Sequence, residues 1–436
     1  MMKKLFTVAA LLTGIMAVSA AQEFKTSYFL DNHVYSYRIN PAAPFESDSF
    51  SFFAVGVGNT SFSMPSNLPL SSLIFTTPEG RYTWGFGESI SPETFLAGIT
   101  KDNFMQPELS VNLLTIGHQE ADRRFTAELN VRSNTYFFAP KDFFGAMKIG
   151  LNDGLKTKTG RYNFENMHLE TNNYAEVAVG FSRRLEDNLI LGGTAKLLLG
   201  LGGAFIDIHN LELGEYPGDD FGGTVYADTY FSCKTLGINP TLVGNSLAHL
   251  QNVGYSGFGI SGVGLGVDLG ATWTPVEGLD VGFSVVDLGF LTWFDTVHGT
   301  INYKDRVIDD AEEGLQLESV ESVIKTKLIN FNFHVSAKYR MPFYEGLTAG
   351  ILTTFQRHFT EVRLGLDVTP LRAISLAAST AFNNYGFDFG AALNFRFPGV
   401  NLFVGADSFA AFKMNEYHIP SSKGITNVTA GLAIAF

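Results

Sequence analysis

The sequence of 436 residues predicts an all-β protein, a transmembrane antiparallel β-barrel of about 14 strands. Three observations predict this class. Apolar and polar residues alternate with a period of two along many segments. Several of these segments run for roughly ten to sixteen residues, longer than the strands of an ordinary soluble sandwich. The chain also ends in an alternating strand whose last residue is Phe436. We further expect an N-terminal plug and short helices in the lumen or at the rim.

The alternation separates an apolar face from a charged one. Between Phe125 and Phe137 the odd positions are mostly apolar, whereas the even positions include Glu128 and Arg132. The segments 325–340 and 385–397 follow the same rule. Charges on the face that would form the core of a soluble protein favour a membrane barrel, in which apolar side chains face lipid and polar ones line the lumen.

The turns and the phase of the alternation give fifteen candidate strands. Because single-chain bacterial barrels have an even number of strands, we expect fourteen in the wall and a loop hairpin at 222–232. No linker or change of composition divides the barrel region. The candidate strands are 50–63, 108–118, 123–138, 170–184, 188–206, 222–232, 256–273, 279–296, 325–340, 346–357, 360–368, 373–382, 385–397, 399–410 and 425–436.

The N-terminus has the pattern of a secretory signal peptide. Two lysines precede a short apolar run, Leu5–Val18, and small residues follow it. The run is too short to span a bilayer as a helix. We expect cleavage near Ala20–Gln22, so that residues 1–21 are the signal, 22–48 the plug segment and 49–436 the barrel. A secreted barrel of this kind is expected in the outer membrane of a Gram-negative cell.

Composition and charge exclude several classes of function. Charged residues make up 17% of the chain, below the usual quarter, while Gly (45) and Phe (40) are abundant. A net charge of −13 argues against nucleic-acid binding. The single cysteine, Cys233, excludes an internal disulfide, and the nine histidines show no metal-ligand spacing. We therefore expect no metal, no cofactor and no enzymatic activity.

Two short segments carry signals for helix starts. Ser91-Pro92-Glu93 combines an N-cap, a proline at the first helical position and an acid in the first turn. Pro140-Lys141-Asp142 leads into an apolar segment in a similar way. Both helices are expected inside the lumen or at the rim of the barrel.

The phase of the alternation slips at Ser261–Gly262 and again at Val285–Val286. A β-bulge produces such a slip. Both strands contain Asp-Leu-Gly, with Asp268 and Asp287 on the inward face. The slips either shape the wall only or mark a kinked wall with a lateral opening, and the sequence leaves both interpretations open.

Charged side chains are predicted to form a network in the lumen. A short turn near 186–188 would place Glu176 directly opposite Lys196, which predicts a cross-strand ion pair. The predicted polar residues of the lumen are Glu128, Arg132, Glu176, Lys196, Asp268 and Asp287.

The last eight residues, Thr429–Phe436 (TAGLAIAF), resemble the C-terminal insertion signal of bacterial outer-membrane barrels. This resemblance implies that the barrel-assembly machinery binds the chain through Phe436 and that outer-membrane lipid surrounds the folded wall.

The segment Glu23–Phe45 is rich in aromatic residues, lacks a strand pattern and contains Asn40-Pro41-Ala42. An Asn-Pro-Ala triplet so close to the N-terminus resembles the FadL and PorV-type outer-membrane barrels, which have 14 strands and an N-terminal plug. The overall pattern, including Lys196–Gly200 (KLLLG), is also similar to a family of unknown function common in Bacteroidota. The segment before Asn40 is shorter than a full FadL hatch.

The resemblance leaves two functions open. Similarity to FadL implies passive uptake of small hydrophobic molecules through a lipid-sized pocket that plug residues line. Similarity to PorV implies a non-transporting scaffold or partner for a secretion system or surface protein, with a sealed lumen and an exposed apolar patch on the outer loops. The residues expected to bind a ligand or to form the plug are Tyr28, Phe29, Leu30, Tyr35, Asn40, Pro41 and Ala42, and the first four are expected to line the pocket.

Overall fold

The computed structural model describes most of the chain from Phe24 to Phe436. The described residues are 24–31, 33–45, 49–56, 58–77, 79–149, 161–215, 221–232, 238–241, 252–255, 259–308, 319–344, 346–356, 359–384, 386–407, 415–417, 419 and 427–436.

The described residues form mainly β-strands. Two α-helices are present among them, α1 (Pro92–Ala97) and α2 (Lys141–Ile149), and neither is long and apolar enough to cross a membrane. The strands are β1 (Phe50–Val55), β2 (Asn59–Ser63), β3 (Ile74–Thr76), β4 (Tyr82–Trp84), β5 (Asp102–Met105), β6 (Glu108–Gln119), β7 (Arg123–Pro140), β8 (Arg161–Asn163), β9 (Met167–Glu186), β10 (Leu189–Glu215), β11 (Phe221–Ser232), β12 (Ile238–Thr241), β13 (Asn252–Tyr255), β14 (Gly262–Val276), β15 (Leu279–Ile308), β16 (Ser319–Leu328), β17 (Asn332–Arg340), β18 (Leu347–Gln356), β19 (Phe359–Leu371), β20 (Ile374–Asn383), β21 (Gly386–Phe397), β22 (Val400–Asp407) and β23 (Asn427–Ala435).

The wall is a closed antiparallel barrel of fourteen strands, which confirms the predicted fold class. β1 and β2 are two halves of the first wall strand, and both pair with β23 on one side and β6 on the other. From β6 the neighbours follow in the order β7, β9, β10, β14, β15, β17, β18, β19, β20, β21, β22 and β23. Closure leaves the wall without a free strand edge, as a membrane barrel requires.

The two faces of the wall differ in polarity, and β19 shows the rule. Its outward residues Leu364 and Leu366 are 45% and 52% exposed. Its inward residues Glu361, Arg363 and Asp367 are at most 1% exposed. An apolar exterior around a polar, buried interior is the arrangement of a transmembrane barrel.

The two ends of the barrel have connections of different length. Short turns close β6–β7, β9–β10, β14–β15, β17–β18, β19–β20 and β21–β22, and we name this the short-turn end. The opposite end carries the connections 64–107, 141–166 and 216–261, and we name it the long-loop end.

The segment 222–232, predicted as a loop hairpin, is a regular strand at the long-loop end. β11 pairs with the outer part of β10 and with the outer part of β15. It lies above β14, which fills the same gap between β10 and β15 at the level of the fourteen-stranded wall. The strand count is thus as predicted, and the hairpin of β10 and β11 extends the wall as a continuous sheet.

The prediction of one strand over 325–340 was wrong. This region forms two strands, β16 and β17, which pair with successive parts of β15. The break lies at 329–331, where the Ile329 N–H donates to the carbonyl of Gly289 and the Ile329 side chain is buried. The alternation continues across the break, so the sequence alone does not reveal it.

The slip predicted at Val285–Val286 is a bulge in β15. Its pairing with β14 shifts register between Val267↔Leu288 and Leu269↔Val285, and Asp287 there has φ +62°. Elsewhere β14 and β15 remain paired from Gly262↔Trp293 to Trp273↔Val281. The described wall therefore has a bulge rather than a lateral opening here. Residues 256–258 of the other predicted slip lie outside the described residues.

Both predicted helices are confirmed, and both lie at the long-loop end. The Thr94 N–H donates to Ser91 Oγ, the expected N-cap bond, at 3.2 Å. Phe95 of α1 and Phe143 and Phe144 of α2 join one buried apolar cluster with residues of the outer loops. We name this set the outer apolar cluster: Leu68, Leu73, Ile90, Phe95, Leu96, Ile99, Ala139, Phe143, Phe144, Ala146, Tyr162 and Phe164.

We expect a charge on the outer face to destabilise the barrel according to its depth. Leu364→Arg, near the middle of β19, should lower the free energy of unfolding by about 2–4 kcal/mol, because the guanidinium would face acyl chains. The matched variant Leu371→Arg, at the end of the same strand, should cost about 0–1 kcal/mol. Reversible denaturant unfolding in lipid vesicles measures both values. Equal costs would contradict the assignment of this face to lipid.

Candidate functional site: the N-terminal segment in the lumen

The N-terminal segment fills the lumen of the barrel. We name the described residues 24–31 and 33–45 the plug. It forms two short 3₁₀ turns, Lys25–Tyr28 and Ser36–Arg38, and almost all of its residues are buried. None of its described residues belongs to a strand of the wall. The plug is thus held by side chains and by close packing rather than by a strand ladder.

The first residues of the plug are anchored by Asp407 on β22. Its carboxylate accepts hydrogen bonds from the backbone N–H groups of Lys25 (2.8 Å) and Thr26 (3.2 Å), and from the Thr26 hydroxyl. Asp407 also pairs with Arg363 at 3.0 Å. Arg363 in turn forms a two-point contact with Glu361, at 2.9 and 3.1 Å.

The Lys25 ammonium completes this buried network, 3.5 Å from Glu361. All four charged side chains are less than 5% exposed. Two cations and two anions balance each other here, which is the arrangement that buried charges require. Loss of one member would leave the others uncompensated, so this network fixes the position of the plug's first turn.

Phe29 of the plug lies against two glycines of the wall. Gly350 on β18 and Gly365 on β19 are directly paired. A Cβ atom on Gly365 would overlap the Phe29 ring, and one on Gly350 would lie 3.2 Å from it. The predicted pocket residues Phe29 and Leu30 are buried against the wall with Tyr28 beside them.

The middle of the plug packs against β23 and β22. The Tyr35 hydroxyl donates to the Leu432 carbonyl at 3.2 Å. The His33 ring lies 4.5 Å from the Phe403 ring, centroid to centroid. Burial, followed by the positive charges of Arg38 and Lys338, lowers the pKa of His33 to about 3. This histidine is therefore neutral and packs as an aromatic ring.

Arg38 connects the plug to β7. Its guanidinium contacts the Glu128 carboxylate at 3.0 and 3.1 Å and Asn130 Oδ1 at 2.8 Å. The Tyr37 hydroxyl donates to the same carboxylate. The predicted lumen residue Glu128 is thus a direct partner of the plug.

The Asn-Pro-Ala triplet forms a tight turn against the wall. Asn40 Oδ1 accepts from the Ala42 N–H at 2.9 Å, and the Ala43 N–H donates to the Asn40 carbonyl at 2.7 Å. The Asn40 amide also donates to Thr272 Oγ1 at 3.1 Å. One asparagine side chain therefore stabilises the turn and binds it to β14.

Three glycines of neighbouring strands make room for this turn. Gly192 on β10 and Gly270 on β14 are directly paired. A Cβ on Gly192 would lie 2.6 Å from the Pro41 carbonyl, and one on Gly270 would overlap Asn40 Oδ1. A Cβ on Gly282 of β15 would lie 3.1 Å from the Asn40 amide nitrogen. We name these three residues the glycine cradle.

Two arginines of the wall bind the C-terminal end of the plug. Arg124 donates to the carbonyls of Pro41 and Ala43 at 3.1 and 3.2 Å. Arg184 donates to the carbonyl of Phe45 at 3.4 Å, and its guanidinium lies 5.6 Å from the Phe45 ring centre. The plug is therefore attached at both of its ends and in its middle.

The remaining predicted lumen residues form one charged cluster on β7, β9, β10, β14 and β15. Arg132 contacts Asp287 at 2.8 Å and Glu176 at 3.4 Å. Lys196 contacts Asp268 at 2.8 Å and also pairs with Asp287. The Asp287 N–H donates to Asp268 Oδ1 at 2.7 Å, so the two Asp-Leu-Gly segments meet at the bulge.

The predicted register of Glu176 and Lys196 was wrong. Lys196 is opposite Ala178, and Glu176 is opposite Leu198. The β9–β10 turn is centred near Asp187, eleven positions after Glu176 but only nine before Lys196, so the two residues cannot be directly opposite each other. They still approach diagonally, with Lys196 Nζ 3.9 Å from Glu176 Oε2, but the two aspartates are the closer partners of Lys196.

A cavity of about 20 Å³ lies between the plug and this cluster. A single water molecule needs roughly 10–15 Å³. The cavity is therefore too small for a lipid or a detergent, and its lining is polar. The lining residues are Tyr37, Arg38, Thr126, Glu128, Arg132, Glu176, Ala178, Thr194, Lys196, Asp268 and Asp287.

The sequence prediction missed the anchors of the plug. Arg363 and Asp407 were not among the predicted site residues, nor were Tyr37 and Arg38. The alternation of β19 does place Arg363 on the inward face, so a signal existed for a lumen position. No sequence signal pairs it with a plug residue more than 300 positions away. Among the described residues, no group of three or more His, Cys, Asp or Glu side chains could hold a metal ion.

We expect a single methyl group in the glycine cradle to displace the Asn-Pro-Ala turn. Gly270→Ala would place a Cβ atom onto Asn40 Oδ1, whereas Gly266→Ala, on the same inward face of β14, would meet its nearest atom at 3.5 Å. Hydrogen exchange of the plug amides should rise at least about tenfold in Gly270→Ala and stay unchanged in Gly266→Ala. Identical exchange in the two variants would show that the cradle does not hold the turn.

Solved structures with a similar architecture include outer-membrane channels. A TodX deltaS2S3 mutant monoaromatic hydrocarbon channel is 11% identical, with 96% of this chain and 97% of that chain covered and a TM-score of 0.48. The Pseudomonas putida toluene transporter TodX is 9% identical, with 96% and 99% covered and a TM-score of 0.41. A Pseudomonas aeruginosa FadL homologue is 12% identical, with 94% and 95% covered and a TM-score of 0.44. At such low sequence identity, no residue role can be transferred from these channels to this chain.

No protein of curated function matches the chain significantly. Residues 41–407 match a family model that begins within the Asn-Pro-Ala triplet and ends at the plug anchor Asp407. The chain belongs to this family, which is described as "Family of unknown function (DUF5723)".

Proposed function

We propose that the protein is an outer-membrane channel for the passive uptake of small hydrophobic molecules, here in a closed state. The apolar outer face of the closed barrel supports a location in the outer membrane. In such barrels the short turns face the periplasm and the longer loops face the exterior. The plug would then close the lumen from the periplasmic side.

The observation that carries the proposal is that the plug is not part of the wall. The fourteen strands pair with one another all the way around, and no described plug residue joins their ladder. Departure of the plug would break side-chain contacts and a few backbone contacts but no hydrogen bond between wall strands. A lumen filled in this way can open while the barrel stays intact.

The outer apolar cluster supports a hydrophobic solute. It stands at the long-loop end, above a lumen that is otherwise polar and charged. Phe75, Phe86 and Met147 pack against it and remain partly exposed. An apolar molecule arriving from outside would gain from leaving water at this surface, at about 25 cal/mol per Å² of apolar area buried.

Passage further inward requires movement of the plug, because the cavity behind it has room for little more than one water. Uptake should therefore be limited by the conformational step rather than by diffusion through a preformed pore.

A reversible disulfide between plug and wall tests this proposal. Thr26 Oγ1 and Ser379 Oγ lie 2.7 Å apart, so Thr26→Cys with Ser379→Cys, in a Cys233→Ser background, places two thiols side by side. Initial uptake of ¹⁴C-labelled naphthalene by intact cells should fall at least about fivefold when the pair is oxidised and recover on reduction, because the lock stops the conformational step.

Each single-cysteine variant is the control, since neither can form the lock. Cells without the protein give the background of direct permeation. If uptake is the same in the oxidised and reduced double variant, and both exceed the background, the molecule does not pass the plug.

A second function, a scaffold or partner for secreted or surface proteins, is favoured by the hairpin of β3 and β4. Tyr82 and Trp84 lie on the same face of β4 and are 65% and 61% exposed. The Tyr82 hydroxyl donates to the carbonyl of Tyr417 on another outer connection, at 3.1 Å. Aromatic side chains of this kind are common anchors in protein interfaces.

If this second function holds, Trp84→Ala with Tyr82→Ala should remove a protein partner that co-purifies with the wild-type barrel from native membranes. A loss of about 2 kcal/mol or more is typical for such anchors, so retention should drop at least about tenfold. Arg81→Ala, an exposed neighbour on the same connection, serves as the control. Wild-type barrel that purifies without any stable protein partner would contradict the scaffold function.

A further inference from the structure

One turn at the short-turn end carries an unusually exposed aromatic tip. Phe343, in the connection of β17 and β18, is 78% exposed. Backbone hydrogen bonds join the described residues on the two sides of this turn. The Met341 N–H donates to the Leu347 carbonyl at 2.9 Å, and the Leu347 N–H donates to the Tyr344 carbonyl at 3.0 Å. The described residues of this turn therefore present an exposed phenylalanine ring at the edge of the wall.

The neighbouring turn extends this apolar surface. The Thr369 N–H donates to the Gly346 carbonyl at 2.7 Å and thereby joins the β17–β18 turn to the end of β19. Leu371, directly beyond this bond, is also exposed. We name the following set the apolar rim patch: Tyr339, Phe343, Tyr344 and Leu371, all of which are exposed.

Two arginines accompany the patch. Arg340 and Arg372 are both exposed. Arg340 Nη2 lies 3.6 Å from Asp31 Oδ1 at the base of the plug, with its side chain still 56% exposed. Other turns of the same end expose acidic residues, as in Asp122 and 186–188, or apolar residues without an exposed arginine beside them, as at Phe397, which is 55% exposed.

We propose that the apolar rim patch with Arg340 and Arg372 binds the headgroup region of an anionic phospholipid in the periplasmic leaflet. Tyr339 lies on the outward, lipid-facing side of β17, and Leu371 ends β19, whose outward residues face lipid. The patch thus continues the lipid-facing wall into the headgroup layer, which favours lipid over a periplasmic protein. Aromatic side chains settle at this level, and a guanidinium forms strong paired hydrogen bonds with a phosphate.

Arg340 gives this contact a further consequence. A lipid phosphate and the Asp31 carboxylate would bind the same guanidinium. Headgroup binding would therefore weaken one contact at the base of the plug. This inference does not depend on what the barrel transports, because it concerns only the wall, the membrane and one plug side chain.

Native mass spectrometry of the purified full-length barrel with added phosphatidylglycerol tests the site. Each arginine should contribute about fivefold to phosphatidylglycerol retention, so that Arg340→Gln with Arg372→Gln weakens it by well over tenfold. Retention of phosphatidylcholine should not change. Arg183→Gln, an exposed arginine near the β9–β10 turn, is the matched control and should bind as the wild type does.

Equal retention by the double variant and the wild type would overturn the proposal, and so would an equal loss in Arg183→Gln. Heat-modifiable migration in gels confirms that each variant is a folded barrel. Phe343→Ser removes only an exposed ring and should weaken retention without changing the charge. A photo-crosslinking residue at position 343 should capture phospholipid in cells, and capture of a protein in its place would assign the patch to a protein partner and refute the lipid site.

Discussion

The closed ladder of wall strands is the constraint on which the rest of this structure depends. In lipid no water is present to satisfy a backbone N–H or C=O group, so each group of the wall must find its partner on a neighbouring strand. β23 meets that requirement by pairing with both halves of the first wall strand. Once the cylinder is closed, the period-two geometry of strands sends alternate side chains to lipid and to the lumen. The same alternation that gives the wall an apolar exterior therefore places its charged side chains in the interior.

A polar lumen that the plug fills must satisfy its own charges. The plug does this at two places, where Lys25 joins the network of Glu361, Arg363 and Asp407, and where Arg38 meets Glu128. Between these places glycines on the inner wall admit Phe29 and the Asn-Pro-Ala turn at close range. Charge balance and shape therefore act together. The former decides which side chains can be buried, and the latter decides where the plug backbone can lie.

The sequence predicted those features that depend on local chemistry. The alternation along β7 and β19, the N-cap at Ser91 and the fourteen-stranded class all follow from residue type and spacing. The sequence did not predict the pairings between distant segments. The exchange of β17 for β16 beside β15 leaves the alternation intact. The exact centre of the β9–β10 turn decides which residues are opposite each other, and it places Glu176 opposite Leu198 rather than Lys196. The plug anchors were missed for the same reason, since Asp407 and Lys25 meet only after the barrel has closed.

The depth of Phe24 in the lumen bears on how the chain matures. This residue is 2% exposed, and Asp407 binds the backbone of the residue that follows it. Only a few positions separate Phe24 from the predicted cleavage site. A chain that still carried its leader would have to thread some twenty further residues, most of them apolar, past charges that are already paired. Cleavage at the predicted site would therefore allow the amino terminus to take up its place in the lumen, and a fused tag at that terminus would face the same obstacle.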